Sequence, residues 1–265
     1  MKSSAFAKGL WALVGLLACA GCGRPSVDRV EWLTMGTVAA VQTHGEADPS
    51  VIAQVKETFA RVERRLNLHD AGSELNQLAG FPEAEILKRC DPEMRPCYER
   101  AFALTRQTDG AFNPRWRGTN TLDLGAIAKG FAVDLAVGRV TGRDALVDLG
   151  GNLRCAGGDW KVGVKDVDLT FDFSGKGACA TSAEYYRGKH ICDGRTGQPV
   201  TNGVRSVTVI HESAMLADGL STVCFILGPD EGRRFLARAY PEAAVAWALK
   251  DGSVVTTAGF PGRGR

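Results

Sequence analysis

D-L-G-A-I-A-K-G-F-A-V-D, residues Asp123 to Asp134, is the stretch on which the rest of the chain turns. Gly125 and Gly130 bracket a short apolar run in which Lys129 is the only basic residue. This pattern predicts a tight loop feeding the first turns of a helix, with bare backbone N–H groups facing outward. Such an end attracts phosphate through unpaired donors and the helix dipole. Lys129 would add a point charge to a diphosphate held there. Helix starts rich in glycine and alanine also occur in pure packing roles, so the stretch alone leaves both roles open.

Downstream the pattern turns to strands. Ala145 to Leu149 ends in the tight turn Gly150-Gly151-Asn152, and Trp160 to Val164 and Leu169 to Phe173 alternate as a hairpin or meander. Ala178 to Ser182 and Ser206 to Ile210 are further strands. Helices follow from Ala214 to Leu227 and from Asp230 to Ala239, then strands from Ala243 to Leu249 and Val254 to Thr257. Upstream, Val30 to Gln42 carries two strand-like pieces around Thr34-Met35-Gly36-Thr37. Asp48 can cap a helix whose first turn suits Pro49, and Ile52, Val55, Phe59, Val62 and Leu66 give it an apolar stripe. A polar loop is expected from Asn67 to Gly80, and a second helix from about Met94 to Thr108. Strands and helices mix without regular β-α-β alternation, so the fold class is α+β rather than a doubly wound sheet.

At 265 residues, 45% apolar and 23% charged, the chain has the composition of a soluble globular protein, and a net charge of +2 with no basic cluster argues against nucleic acid. The start reads differently. Lys2 and Lys8 precede an uncharged run from Gly9 to Gly23, which has the form of a secretory signal peptide. It ends in L-L-A-C-A-G-C, similar to a bacterial lipobox; Cys19 fits as the lipidated residue, with Cys22 the alternative. The organisation expected is a leader over 1–22, a linker over 23–29 and one folded unit over 30–265, lipid-anchored and exported. Export permits disulfides. Cys90 and Cys97 flank a short loop and could bridge, whereas the pairing of Cys155, Cys179, Cys192 and Cys224 is not legible.

Asp218 and Thr222 lie one helical turn apart, which stacks a carboxylate and a hydroxyl on one face. Two hard oxygens so placed suit magnesium, which takes few protein ligands and completes its shell with water and phosphate. The competing role is two polar positions turned to solvent. His190 sits in a polar loop with Asp193, Arg195 and Thr196, where an imidazole can move a proton near neutral pH or simply occupy a turn. His44, His69 and His211 have no such company. Thr181-Ser182 lacks the Ser-His-Asp pattern of a nucleophile.

Taken together, these pieces resemble the ApbE family, the FAD:protein FMN transferases. T-M-G-T at 34–37, S-E-L-N at 73–76 and T-D-G-A-F at 108–112 precede the central stretch. V-D-L-G-G-N at 147–152, A-T-S at 180–182, H-I-x-D-x-R-T-G-x-P at 190–199 and A-D-x-L-S-T at 217–222 follow it. The resemblance implies a T-fold-like α+β enzyme that uses FAD as substrate with Mg2+, moves the FMN moiety onto a Ser or Thr of an acceptor protein and releases AMP. By the same resemblance Asp218, Thr222 and the Ala126 carbonyl hold the metal, Met35, Asp123, Lys129 and Ile191 contact FAD, and His190 assists proton transfer. The acceptors implied are flavoprotein subunits of membrane or exported redox systems, with the enzyme on the inner membrane facing the periplasm. The alternatives are FAD hydrolysis to FMN and AMP, or a non-catalytic flavin-binding lipoprotein. Departures are local. Only R-W-R-G-T-N-T-L separates Asn113-Pro114 from Asp123, where the family has a longer segment. The loop from Ala183 to Lys189 is short, Ala183 stands for Gly, Gly194 stands for Pro, and His69 stands near an expected aromatic ring. Trp116 is a candidate for the lost pocket wall.

Overall fold

A computed structural model describes residues 26–140, 142, 144–164, 169–184 and 190–261. The expected leader and both candidate lipidation cysteines, Cys19 and Cys22, lie outside the described residues, as does most of the loop from Ala183 to Lys189. The first two strands, β1 (Val27–Thr34) and β2 (Thr37–His44), form the hairpin expected around T-M-G-T. Its two-residue turn places Met35 at φ 48° and Gly36 at φ 68°. Positive φ at both central residues matches the turn's twist to that of the strands. Helix α1 (Pro49–Leu66) starts as its sequence says, with Asp48 accepting the Ser50 N–H and Pro49 in the first turn. Its stripe of Ile52, Val55, Phe59, Val62 and Leu66 is buried.

One short helix interrupts the loop expected from Asn67 to Gly80, and a second follows beyond it. In α2 (Glu74–Leu78) Ser73 caps by accepting the Asn76 N–H, and α3 (Glu83–Arg89) follows Pro82. Both are too short to show a full apolar period, which is why neither is legible in the sequence. The chain continues as α4 (Arg95–Gln107), α5 (Ala128–Val137), β3 (Ala145–Leu149), β4 (Asn152–Cys155), β5 (Asp159–Val164) and β6 (Leu169–Ser174). Then come β7 (Ala178–Ala183), β8 (Cys192–Asp193), β9 (Gln198–Pro199), β10 (Val204–His211), α6 (Ala214–Ala239), β11 (Ala244–Leu249) and β12 (Val254–Thr256). The two helices expected between Ala214 and Ala239 are the halves of α6, kinked where Gly228 takes φ 72° before Pro229.

Eight strands form one antiparallel sheet in the order β1-β2-β3-β4-β7-β10-β11-β12. Period-two alternation divides its side chains between two cores. Val147, Leu149, Ala180, Val207, Val209 and Trp247 point into the main core with the helices. Leu146, Leu153, Cys155, Cys179 and Ala246 point the other way, against the β5–β6 hairpin and its Trp160, Phe171 and Phe173. The architecture is α+β, as expected, with helices on one face of the sheet and a small hairpin on the other.

The bridge suggested between Cys90 and Cys97 is absent; both are free, as are Cys155, Cys179, Cys192 and Cys224. Cys97 is carried into the core by α4, whereas the Cys90 thiol turns back to the Leu87 carbonyl at 3.7 Å. Among the described residues no helix is long and apolar enough to cross a membrane.

Candidate active site

The site is built where α5 lies against α6, and a glycine sets the approach. A Cβ on Gly130 would stand 2.1 Å from the Ala214 carbonyl oxygen and 2.8 Å from Asp218 Cβ, so no other residue fits without separating the helices. The contact lets the Gly130 N–H donate to Asp218 Oδ2 at 3.0 Å. In a regular helix that N–H would serve the carbonyl four residues back, Ala126. Diverted to Asp218, it leaves the Ala126 carbonyl without that partner. Lys129, one residue earlier, brings Nζ to 3.1 Å from the Gly125 carbonyl and 3.6 Å from Asp218 Oδ2.

The sequence expectation of bare N–H groups holds in part, because four of these donors find partners. Gly125 N donates to Asp123 Oδ1, Ile127 N and Ala128 N to the Leu124 carbonyl, and Gly130 N to Asp218. The Ala126 and Lys129 N–H groups keep no acceptor among the described residues, so the loop offers these two donors together with the Lys129 ammonium and the Ala126 carbonyl.

Asp218 is only 5% exposed, which rules out the solvent-facing role. Its charge reaches the buried Cys97 thiol, whose pKa is pushed up first by desolvation and then by that carboxylate. One turn on, Thr222 Oγ1 lies 3.2 Å from Ser182 Oγ, which is also 2.7 Å from Ser221 Oγ; Ser221 in turn donates to the Asp218 carbonyl at 2.8 Å. The A-T-S strand β7 thus supplies a hydroxyl beside the metal candidates, a role its sequence did not reveal. A buried carboxylate, a hydroxyl and a carbonyl released from its helix are all hard oxygen donors, a set that fits Mg2+. No group of three or more His, Cys, Asp or Glu converges among the described residues.

Two features that sequence reasoning missed hold this geometry. Asp134, the last residue of the central stretch, caps α6 from outside: Oδ2 accepts from Ser213 Oγ at 2.6 Å and Met215 N at 3.0 Å, Oδ1 from Ala214 N at 2.8 Å. Arg154 Nη1 holds the same carboxylate at 2.6 Å. Glu63 of α1 braces the strained Met35 turn, accepting from Met35 N and Thr34 Oγ1, each at 3.1 Å. No periodic signal could flag either, because their partners are distant in sequence.

Asp123 receives the shortened segment. Its Oδ2 lies 3.3 Å from both Trp116 Nε1 and Arg117 Nε, and Arg117 stacks 4.3 Å from the Trp116 ring centroid. His190 is exposed at the entrance to the β8–β9 hairpin. Ile191 is 7% exposed and belongs to the main core, with its carbonyl accepting the Val200 N–H. Gly194 explains its own departure from the family pattern. Its N–H donates to the Ala111 carbonyl at 2.8 Å, and a Cβ would fall 2.4 Å from Asn113 Cβ. Proline would lose that bond, so glycine seats the hairpin on T-D-G-A-F. Asp193 is held below the usual carboxylate range, chiefly by hydrogen bonding from Arg195.

Known proteins share parts of this sequence and this fold. A FAD:protein FMN transferase from Treponema pallidum is 33% identical over 54% of this chain and 48% of its own length. One from Vibrio cholerae is 25% identical over 84% of this chain and 88% of its own. Among solved structures, Pseudomonas stutzeri flavinyl transferase ApbE superposes with a TM-score of 0.73 at 22% identity, covering 90% of this chain and 96% of that one. The Thermotoga maritima apbe protein gives 0.74 at 23% identity. The ApbE family profile matches residues 35–120 and 115–247, two pieces that meet in the shortened segment. On its fold, its motifs and that match, the chain belongs to the ApbE family.

Proposed function

We propose that this chain transfers the FMN moiety of FAD to a Ser or Thr hydroxyl of an acceptor flavoprotein, releasing AMP. The observation that carries the reading is the α5–α6 junction, where the Gly130 N–H and the Lys129 ammonium both reach Oδ2 of the buried Asp218 and the Ala126 carbonyl is left without its helical partner. Asp218, Thr222 and the Ala126 carbonyl would hold Mg2+, which when bound neutralises charge on a diphosphate and favours departure of AMP. Lys129, drawn to Asp218 in the free protein, would turn its ammonium to the phosphates. Met35 on its strained turn and Asp123 on its tightly bonded one would orient the flavin half. The acceptor oxygen attacks the FMN phosphorus, the diphosphate P–O bond breaks toward AMP, and His190 takes the hydroxyl proton. An exported, lipid-anchored location, with Cys19 (or Cys22) as the modified residue, belongs to the same proposal and rests on the apolar run from Gly9 to Gly23. Its acceptors would then be membrane or exported redox subunits.

The test mixes protein, FAD and magnesium with and without a peptide bearing a candidate Thr. AMP is followed by chromatography and the peptide by mass spectrometry. AMP together with an FMN-modified peptide supports the transferase. AMP at the same rate without peptide, and no modified peptide, replaces it with FAD hydrolysis. Tight FAD binding with no turnover replaces it with a binding protein.

A further inference from the structure

The segment that replaces the family's longer one is an ordered, closed loop. Asp123 N donates to the Pro114 carbonyl at 2.8 Å across its base, Gly118 N to Arg115 at 2.9 Å and Thr121 N to Gly118 at 3.1 Å. Its two arginines face opposite ways. Arg115 turns inward and donates to the carbonyls of Ala79 and Phe81, each at 2.6 Å, and to that of Thr119. Burial lowers its pKa, and its charge is spent on backbone oxygens.

Arg117 turns outward. Its side chain is 51% exposed, lies over the Trp116 ring, and touches Asp123 Oδ2 through Nε alone at 3.3 Å. Its charge also reaches the Cys192 thiol two residues beyond His190, opposing the rise in pKa that burial causes there. The guanidinium is held by contact at Asp123 and Trp116. From Asp123 the contacts run on: Oδ1 accepts the Gly125 N–H, and the Gly125 carbonyl accepts Lys129 Nζ. Arg117 and Lys129 thus flank one turn, each on a carboxylate at 3.3 and 3.6 Å, longer than a short charge-assisted bond. Exposed pairs of this kind contribute little to folding. The unspectacular role for Arg117 is a solvated partner of Asp123. Against it stand the single-point contact, which leaves the bidentate edge of the fork uncommitted among the described residues, and the run of contacts through Asp123 and Gly125 that ties it to Lys129.

We propose that Arg117 is a second phosphate-binding residue, which acts with Lys129 on the diphosphate of the dinucleotide substrate. The proposal rests on the flavin-transfer reading of this site. A guanidinium fork matches two phosphate oxygens, and Trp116 keeps its plane fixed from one side.

The experiment measures, by calorimetry with magnesium, binding of ADP, which carries a diphosphate, and of riboflavin, which carries none. In Arg117→Ala, ADP affinity is expected to fall roughly tenfold or more, as for loss of a hydrogen bond to a charged group, with riboflavin binding unchanged. Arg117→Lys should restore only part of the loss, because an ammonium lacks the fork. Unchanged ADP affinity in Arg117→Ala, alongside its loss in Lys129→Ala, would overturn the proposal and leave the flavin-transfer reading standing. Equal weakening of ADP and riboflavin would also overturn it, by showing a collapsed loop. If the unmodified chain bound neither ADP nor FAD, the flavin-transfer reading would fail and the proposal with it.

Discussion

Gly130 and Asp218 are joined backbone to side chain at 3.0 Å, through a helix contact so close that a methyl group on Gly130 would overlap the Ala214 carbonyl. Replacing a mid-helix glycine by alanine ordinarily stabilises a helix by about 1 kcal/mol. Here the sign reverses: Gly130→Ala is expected to cost about 1–3 kcal/mol as an overpacking change, read from urea unfolding. It should also separate Lys129 from Asp218 and lower magnesium-dependent turnover. A variant as stable as the parent would show that α5 and α6 do not pack this closely.

Asp218→Asn keeps an oxygen for the Gly130 N–H and removes the charge. The fold should persist, with a thermal midpoint near that of the parent, while AMP release falls about a hundredfold or more, in line with the loss of a charge-stabilising group at a reacting phosphate. Raising magnesium should recover part of the rate if the lost charge acts through the metal. Turnover unaffected by the substitution would remove Asp218 from the site.

Much of this was legible in the chain. Asp48-Pro49 and the stripe to Leu66 specify α1 because a cap and a 3.6-residue period are both local. The Met35-Gly36 turn and the alternating strands are visible for the same reason. The spacing of Asp218 and Thr222 suggested oxygen ligands, but only burial removes the solvent-facing role for Asp218, and burial depends on where α5 lands. Asp134 on α6 and Glu63 on the Met35 turn were invisible, since each acts across a long sequence separation on backbone groups that carry no side-chain signature. The bare N–H reading overcounted because Asp123 and Asp218 consume two donors that the sequence left unassigned, while Ala126 and Lys129 keep theirs.

Asp134→Ala tests the helix cap. It removes acceptors from Ser213, Ala214 and Met215 and strands Arg154, whose guanidinium now lies 2.6 Å from that carboxylate. Loss of a multiply bonded cap and of a charge partner predicts about 2–4 kcal/mol of destabilisation in urea. Asp134→Asn, which retains both acceptor positions in part, should lose less. Similar, small losses in both would mean that α6 starts without this cap.

Asp148 gives the stability a pH dependence of known sign. It is 7% exposed in β3, and burial raises its pKa from 3.8 to about 6, against the lowering effect of the Gly151 N–H and of Arg29. Between these values the folded chain holds a proton that the unfolded chain has released. The slope of unfolding free energy with pH is therefore negative there. The contribution is fully present below pH 3.8 and is lost as the pH rises through about 6. A shift of this size corresponds to about 3 kcal/mol. Asp148→Asn keeps an acceptor for Gly151 and cannot ionise, so the variant's stability relative to the parent should rise by about 2–3 kcal/mol between acid and neutral pH. Urea unfolding of both proteins at pH 4.5 and pH 7.5, about one unit or more from the folded midpoint, measures that difference directly. Parallel curves would mean that the Asp148 carboxyl titrates alike in the folded and unfolded chain, with water reaching it between β3 and the Gly150-Gly151 turn.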